Sequence, residues 1–134
     1  MLFTKASEYA LLSMILLSQS QTPKDVEVMS SELNISKSFL AKILQNLARD
    51  GILTSFKGAN GGFILATNPK SISIKKILES AEKKRISVFE CSNDKADCPS
   101  LRSDTCKIWP MFNAVQHKID DFLDTITLAD IIKK

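Results

Sequence analysis

Histidine is nearly absent from this 134-residue chain, with His117 the only example, and tryptophan and tyrosine occur once each. A nucleophilic enzyme needs a base beside its nucleophile, so one histidine and no oxyanion motif argue against catalysis. Long hydrophobic runs are missing too. The longest nearly apolar stretch, YALLSMILL, is about half of what a membrane-spanning helix needs. The start has neither the basic segment nor the small-residue cleavage site of a secretory signal. No internal repeat and no low-complexity tract occurs. These absences point to a cytoplasmic chain without a membrane partner. Its 44% apolar and 25% charged residues suit a folded domain rather than a disordered one.

Charge is unevenly divided along the chain. Residues 1–85 hold twelve Lys and Arg against seven Asp and Glu, whereas residues 86–134 hold six against eight. The front part is the candidate partner of a polyanion.

Apolar spacing supplies the elements. Residues 4–18 predict a helix with Tyr9, Leu12, Ile15 and Leu16 on one stripe. Thr22–Lys24 predicts a turn, and residues 26–33 a short helix with Met29 and Leu33 one turn apart. After a break at Asn34-Ile35, Ser36 is placed to cap a helix burying Leu40, Ile43, Leu44 and Leu47, with Gly51 at its end. Two β-rich runs, 52–56 and 63–66, flank Gly58-Ala59-Asn60-Gly61-Gly62, a hairpin signal. Ser73 precedes a helix with Ile74, Ile77, Leu78 and Ala81 on its apolar face. Near the end, Ile108, Phe112, Val115, Ile119, Phe122 and Ile126 recur in steps of 4, 3, 4, 3 and 4, a heptad seam that must bury itself against something. Thr127 and Asp130 have the spacing of a capping box.

Helix, tight turn, helix and hairpin is the order of a winged helix-turn-helix, and the expected fold class is mostly α with a small β-hairpin wing plus a long C-terminal dimerisation helix. Burying the stripe of the second helix turns Lys37, Ser38, Ala41, Lys42 and Gln45 outward, where short polar or basic side chains reach base edges in a major groove. Ser36 stands at the same helix end. At the hairpin tip Lys57, Gly58, Asn60 and Gly61 allow close approach to phosphates. Between Ser36 and Lys57 there are four basic residues and one acid. A solvated charged face on a DNA-independent three-helix core is the plainer alternative.

All three cysteines, Cys91, Cys98 and Cys106, lie within ECSNDKADCPSLRSDTCKIWP, a polar segment without helical or alternating period. Such a loop clamps itself, reacts or holds a metal. Disulfides are rare in the cytoplasm, and zinc sites more often show CxxC pairs, absent here. Iron–sulfur ligation and thiol sensing stay open.

The stretch ISKSFLAKILQNLARDGILTSFKGANGGFILA closely resembles the recognition helix and wing of the Rrf-two family of bacterial transcription regulators, of the IscR and NsrR type. LFTKASEYALLSMILL is similar to that family's first helix, and FLDTITLAD to its C-terminal signature. The resemblance implies a homodimer on a double-stranded operator, probed by nitric oxide, oxygen or iron status and acting as a repressor. It implies a winged domain over 1–85, a cysteine-rich cluster loop over 86–107, and a dimerisation helix with C-terminal segment over 108–134. It further implies that Cys91, Cys98 and Cys106 ligate an iron–sulfur cluster, 2Fe-2S or 4Fe-4S. A fourth ligand is needed. One family position for it is Trp109 here, which cannot ligate; the other corresponds to Glu8, reaching over from the partner subunit. Some regulators resembling this family lack a cluster and respond by docking a metabolic enzyme, which leaves a cluster-free, thiol- or partner-responsive regulator as the alternative.

Overall fold

The structure is a computed structural model that describes residues 3–94, 96, 98 and 106–133. The remainder of the predicted cysteine loop, at 95, 97 and 99–105, lies outside the described residues.

Among the described residues six α-helices and one hairpin follow in the order α1 (Lys5–Ser18), α2 (Val26–Leu33), α3 (Lys37–Arg49), β1 (Leu53–Phe56), β2 (Gly62–Leu65), α4 (Ile74–Glu82), α5 (Trp109–Thr125) and α6 (Leu128–Ile132), with a short 3-10 turn at Pro69–Ser71 before α4. This is the expected mostly helical winged architecture. Local chemistry sets the boundaries. Thr4, Asp25 and Ser73 each accept a bond from a first-turn amide of α1, α2 and α4. Asn34 turns α2 into α3 with a left-handed backbone at φ 56, a conformation asparagine tolerates better than most residues. Thr127 and Asp130 close the capping box of α6.

The core lies where α1, α3, α4 and the wing meet. Met14, Leu17, Leu40, Leu44, Leu47, Ile77 and Leu78 are fully buried there. Each such side chain contributes about 1.5–3 kcal/mol over an exposed one. In α3 and α4 the buried stripes are the predicted ones. In α1 the expected face is rotated. Ser7, Ala10, Ser13, Met14 and Leu17 are buried, while Leu12 is exposed. That helix is apolar nearly all round, so periodicity could not choose its inner side. Its start is tied to α4 by Glu82, whose carboxylate accepts from the hydroxyls of Thr4 and buried Ser7.

The hairpin pairs Leu53 with Leu65 and Phe56 with Gly62. The segment read as a turn does more than turn: Lys24 bonds to Phe63 through both backbone groups, at 3.0 and 2.8 Å, adding a third strand position to the wing. That approach explains the glycine pair. A Cβ on Gly62 would lie 2.2 Å from the Lys24 carbonyl oxygen, and one on Gly61 2.4 Å from that of Phe56. Only hydrogen fits at either place.

The predicted single seam of α5 divides into two faces. Gln116 and Leu123 are buried, and Ile119 and Ile126 pack against the chain's own core. Phe112 packs on Phe89 with ring centroids 5.1 Å apart. Ile108, Val115 and Phe122 point outward, joined by Met111. The heptad count missed this because a glutamine takes one inward position. Behind α5 the chain returns to α4: Ile74 N–H donates to Ile126 and Leu128 N–H to Ile72, both at 2.8 Å.

Candidate nucleic-acid interface and cysteine loop

α3 carries its outward polar row on a rigid base. Lys37, Ser38, Lys42 and Gln45 are all exposed, above the buried Leu40, Ile43, Leu44 and Leu47. Tyr9 of α1 meets Phe39 edge to face at 5.4 Å, fixing the N-terminal half of the helix. The expected Ser36 cap takes another form: its hydroxyl makes no capping bond and lies 3.2 Å from that of Ser38. The first amides of α3 therefore face outward with no side-chain acceptor, at the positive end of the helix dipole. That is where a phosphate oxygen binds well. Lys37 makes an exposed 3.7 Å ion pair with Glu27, a contact weak enough to exchange for a phosphate.

The wing tip, Lys57 to Asn60, is exposed, and Gly61 half-buried beneath it. A cleft lined by Gln45, Arg49, Ser55, Phe56 and Lys57 separates α3 from the wing. Recognition row and wing thus share one surface, with Lys42 and Lys57 on its two parts.

The cysteine loop is anchored quite differently. Cys91 is buried at 3% exposure, whereas Cys98 and Cys106 are half-buried. Burial pushes the Cys91 thiol up, and Cys98 and then Cys106 add to the shift. The backbone around Cys91 hangs on α5. Trp109, excluded as a ligand, donates its indole N–H to the Cys91 carbonyl at 2.7 Å. Asn113 donates to the Ser92 carbonyl at 2.9 Å. Buried Gln116 takes the main load. Its Oε1 accepts from Val88 N–H at 2.9 Å and from the Ser92 hydroxyl at 2.7 Å. Its Nε2 donates to the Ile86 carbonyl at 2.9 Å and to Asp120 at 3.0 Å. A buried amide with all its bonds made pins a loop that has no regular structure of its own. Sequence reading missed these anchors; a glutamine among inward apolar positions of α5 was the available signal.

Glu8 stands on the exposed side of α1, paired with Lys5 at 3.1 Å, and holds the Lys5 ammonium in its charged form. Among the described residues no group of three or more His, Cys, Asp or Glu is gathered to hold a metal. Within one chain, then, Glu8 does not join the thiols in a ready-made site. The donor chemistry suits an iron–sulfur cluster, for which thiolates are the usual ligands, and the sulfurs share one loop. Their final convergence is not preformed. His117 is exposed on α5.

Residues 3–134 match the family profile described as Rrf2, iron-dependent transcriptional regulator. A helix-turn-helix-type transcriptional regulator of Neisseria meningitidis serogroup A is 31% identical over 140 residues, spanning 100% of this chain and 89% of that protein. The structure of IscR from T. potens is similar with a TM-score of 0.74 and 25% identity, over 98% of this chain and 85% of that one. CymR, the global cysteine regulator of B. subtilis, shares the fold with a TM-score of 0.71 and 23% identity, over 98% and 95%.

Proposed function

Because the chain belongs to the Rrf2 family of transcriptional regulators, we propose that this DNA-binding protein is a cytoplasmic homodimeric repressor whose grip on its operator follows an iron–sulfur cluster. It is a regulator and not an enzyme. The observation that carries the cluster reading is that Cys91, Cys98 and Cys106 share one segment whose start is hung from α5 by Trp109 and Gln116.

Each part has a role. Lys37, Ser38, Lys42 and Gln45 read base edges, with Ser36 and the open amides of α3 on a phosphate. Lys57, Gly58, Asn60 and Gly61 contact the neighbouring backbone. The outward stripe of α5, Ile108, Met111, Val115 and Phe122, packs on the same stripe of a second copy, which hides apolar side chains left 40–59% exposed in one chain. Glu8 supplies the fourth ligand from the partner subunit; its exposed pairing with Lys5 leaves it free to exchange. A bound cluster would supply an inorganic core reactive towards oxygen and nitric oxide. Gln116 and Trp109 transmit the loop's position to α5, while Glu82 holds α1 to α4 beside the loop's stem. A shift between these contacts changes the separation of the two recognition helices, which must match half-sites about 34–36 Å apart.

A second reading has its own support. The likeness to a cysteine regulator, and thiols not preformed as a site, favour a cluster-free thiol- or partner-responsive regulator that docks a metabolic enzyme. Anaerobic native mass spectrometry separates the two. A dimer carrying iron and sulfide that is lost in Cys98→Ala supports the cluster. An air-free dimer with neither, whose operator affinity is unchanged in Cys98→Ala, refutes it. A pull-down with and without operator DNA then tests the enzyme-docking alternative.

A further inference from the structure

We infer that the groove between the C-terminal ends of α3 and α4 is a second phosphate-binding surface, which grips the DNA backbone on the side of the recognition helix away from the wing. The inference rests on the DNA reading above and adds a contact that neither motif nor resemblance assigned.

The groove, of about 660 Å³, is lined by Arg49, Lys76, Lys83, Lys84 and Arg85, against Asp50 and Glu79. All five cations are exposed on the surface. Among the described residues the ion pairs fall elsewhere, at Lys5–Glu8, Lys24–Glu32 and Lys37–Glu27. Glu79 is engaged in part, its Oε2 accepting from Ile86 N–H at 3.4 Å. The positive charge is therefore not neutralised locally. The walls are also fixed, because the Ser80 hydroxyl donates to the Asn46 carbonyl at 3.1 Å and locks α4 to α3. The backbone positions of the cations are thereby set, so that only their side chains remain to be ordered on a rigid polyanion.

Position selects the partner. Asn46, Arg49 and Lys83 also border the adjoining cleft, which runs on to Ser36, Ser38 and Lys42. Gln45 and Arg49, on the outer ridge of α3, border the wing cleft as well, whose own cation is Lys57. The recognition helix thus lies between two basic flanks. A helix in a major groove, about 12 Å wide, has a phosphate strand on each side. The wing meets one strand and this groove the other.

Lys83 sharpens the case. It ends α4 with a left-handed backbone at φ 59, a place usually taken by glycine or asparagine. A lysine there carries backbone strain that a glycine would relieve, while keeping a charge at the junction of the two clefts.

The test uses the full-length protein and a duplex of about thirty base pairs, enough for two half-sites with flanks. The duplex is selected by the wild type from a random pool and compared with its scrambled counterpart. Combined Lys84→Ala and Arg85→Ala substitution removes two cations from each subunit of the dimer and is expected to lower the slope of log affinity against log salt by about 3.6, at roughly 0.9 per lost phosphate contact. The loss should be equal on both duplexes and leave their affinity ratio unchanged. Lys83→Gly should weaken binding to both with no loss of thermal stability, which separates charge from folding. An unchanged slope in the double variant, while Lys42→Ala still loses the selected sequence, overturns the groove and leaves the DNA reading standing. An acidic protein partner for this groove would give that same result. A wild type that binds neither duplex overturns both.

Discussion

The α3 helix with its wing and the cysteine loop are both polar stretches of the sequence, yet they are built by opposite means. In the first, each outward side chain of α3 sits on a regular helix whose inner face is apolar, so Lys42 is placed by the burial of Leu40, Ile43 and Leu44 beneath it. In the second, no element of the loop's own exists around Cys91, and its backbone is held by side chains of α5 more than twenty residues away, Gln116 foremost. The difference teaches how each can respond. A surface made by core packing changes little without unfolding. A loop hung on a few hydrogen bonds moves when one of them or a ligand is lost. The proposed function would give reading to the rigid part and sensing to the suspended one.

The largest expected effect attacks the suspension. Gln116→Leu leaves Val88 N–H without its acceptor, while the Ser92 hydroxyl keeps its bond to the Phe89 carbonyl and the Ile86 carbonyl its bond from Asn93. It should cost about 3 kcal/mol, about 1–3 from the orphaned amide if no water enters and about 0.5–1.5 from each of the other two lost bonds. Cys91 should also react faster with a thiol reagent. Chemical denaturation and timed alkylation check both, and unchanged alkylation would show that the loop stands without α5.

Next comes the wing. Gly62→Ala forces a methyl group against the Lys24 carbonyl and should destabilise by about 2–3 kcal/mol, lowering DNA affinity on all sequences as the tip is displaced. Measured stability equal to wild type would mean that Lys24 is not an obligatory neighbour of the wing.

Smaller effects divide the DNA surface itself. Lys42→Ala is expected to relax preference at one base position of each half-site by about 1–3 kcal/mol, whereas Lys57→Ala should weaken selected and scrambled duplexes alike and lower the salt slope by about 1.8, one contact for each wing of the dimer. Competition titrations with single-base variants decide it; identical behaviour of the two variants would remove the distinction between reading and gripping.

The smallest concerns the C-terminal cap. Bonds from Thr127, helped by Lys133, hold the Asp130 carboxyl below the usual carboxylate range. A lowered folded value stabilises above the ordinary carboxylate range and loses that contribution as pH falls through it. Asp130→Asn should therefore melt slightly below the wild type at neutral pH and match it in acid. A gap that persists in acid would point to packing rather than charge.

What local pattern decided here is the helices, their caps and the turn. Ser73 and Thr127 cap by bonds reaching three residues ahead, the glycine-rich tip makes a hairpin, and apolar steps in α3 and α4 choose their inner faces. The outward row of α3 followed from the same periodicity, because a helix that buries one stripe must expose the other. The tertiary fold alone decided the rest. It rotated α1, whose apolar residues surround it, so that Ser7 and Ala10 face inward, and it gave Lys24 to the wing. It split the α5 heptad between core and solvent through Gln116, and brought Arg49 beside Lys76 and Lys83–Arg85 across two helix ends. These outcomes depend on which surfaces meet. Spacing along a chain specifies a face for each element, but only packing says what lies opposite it.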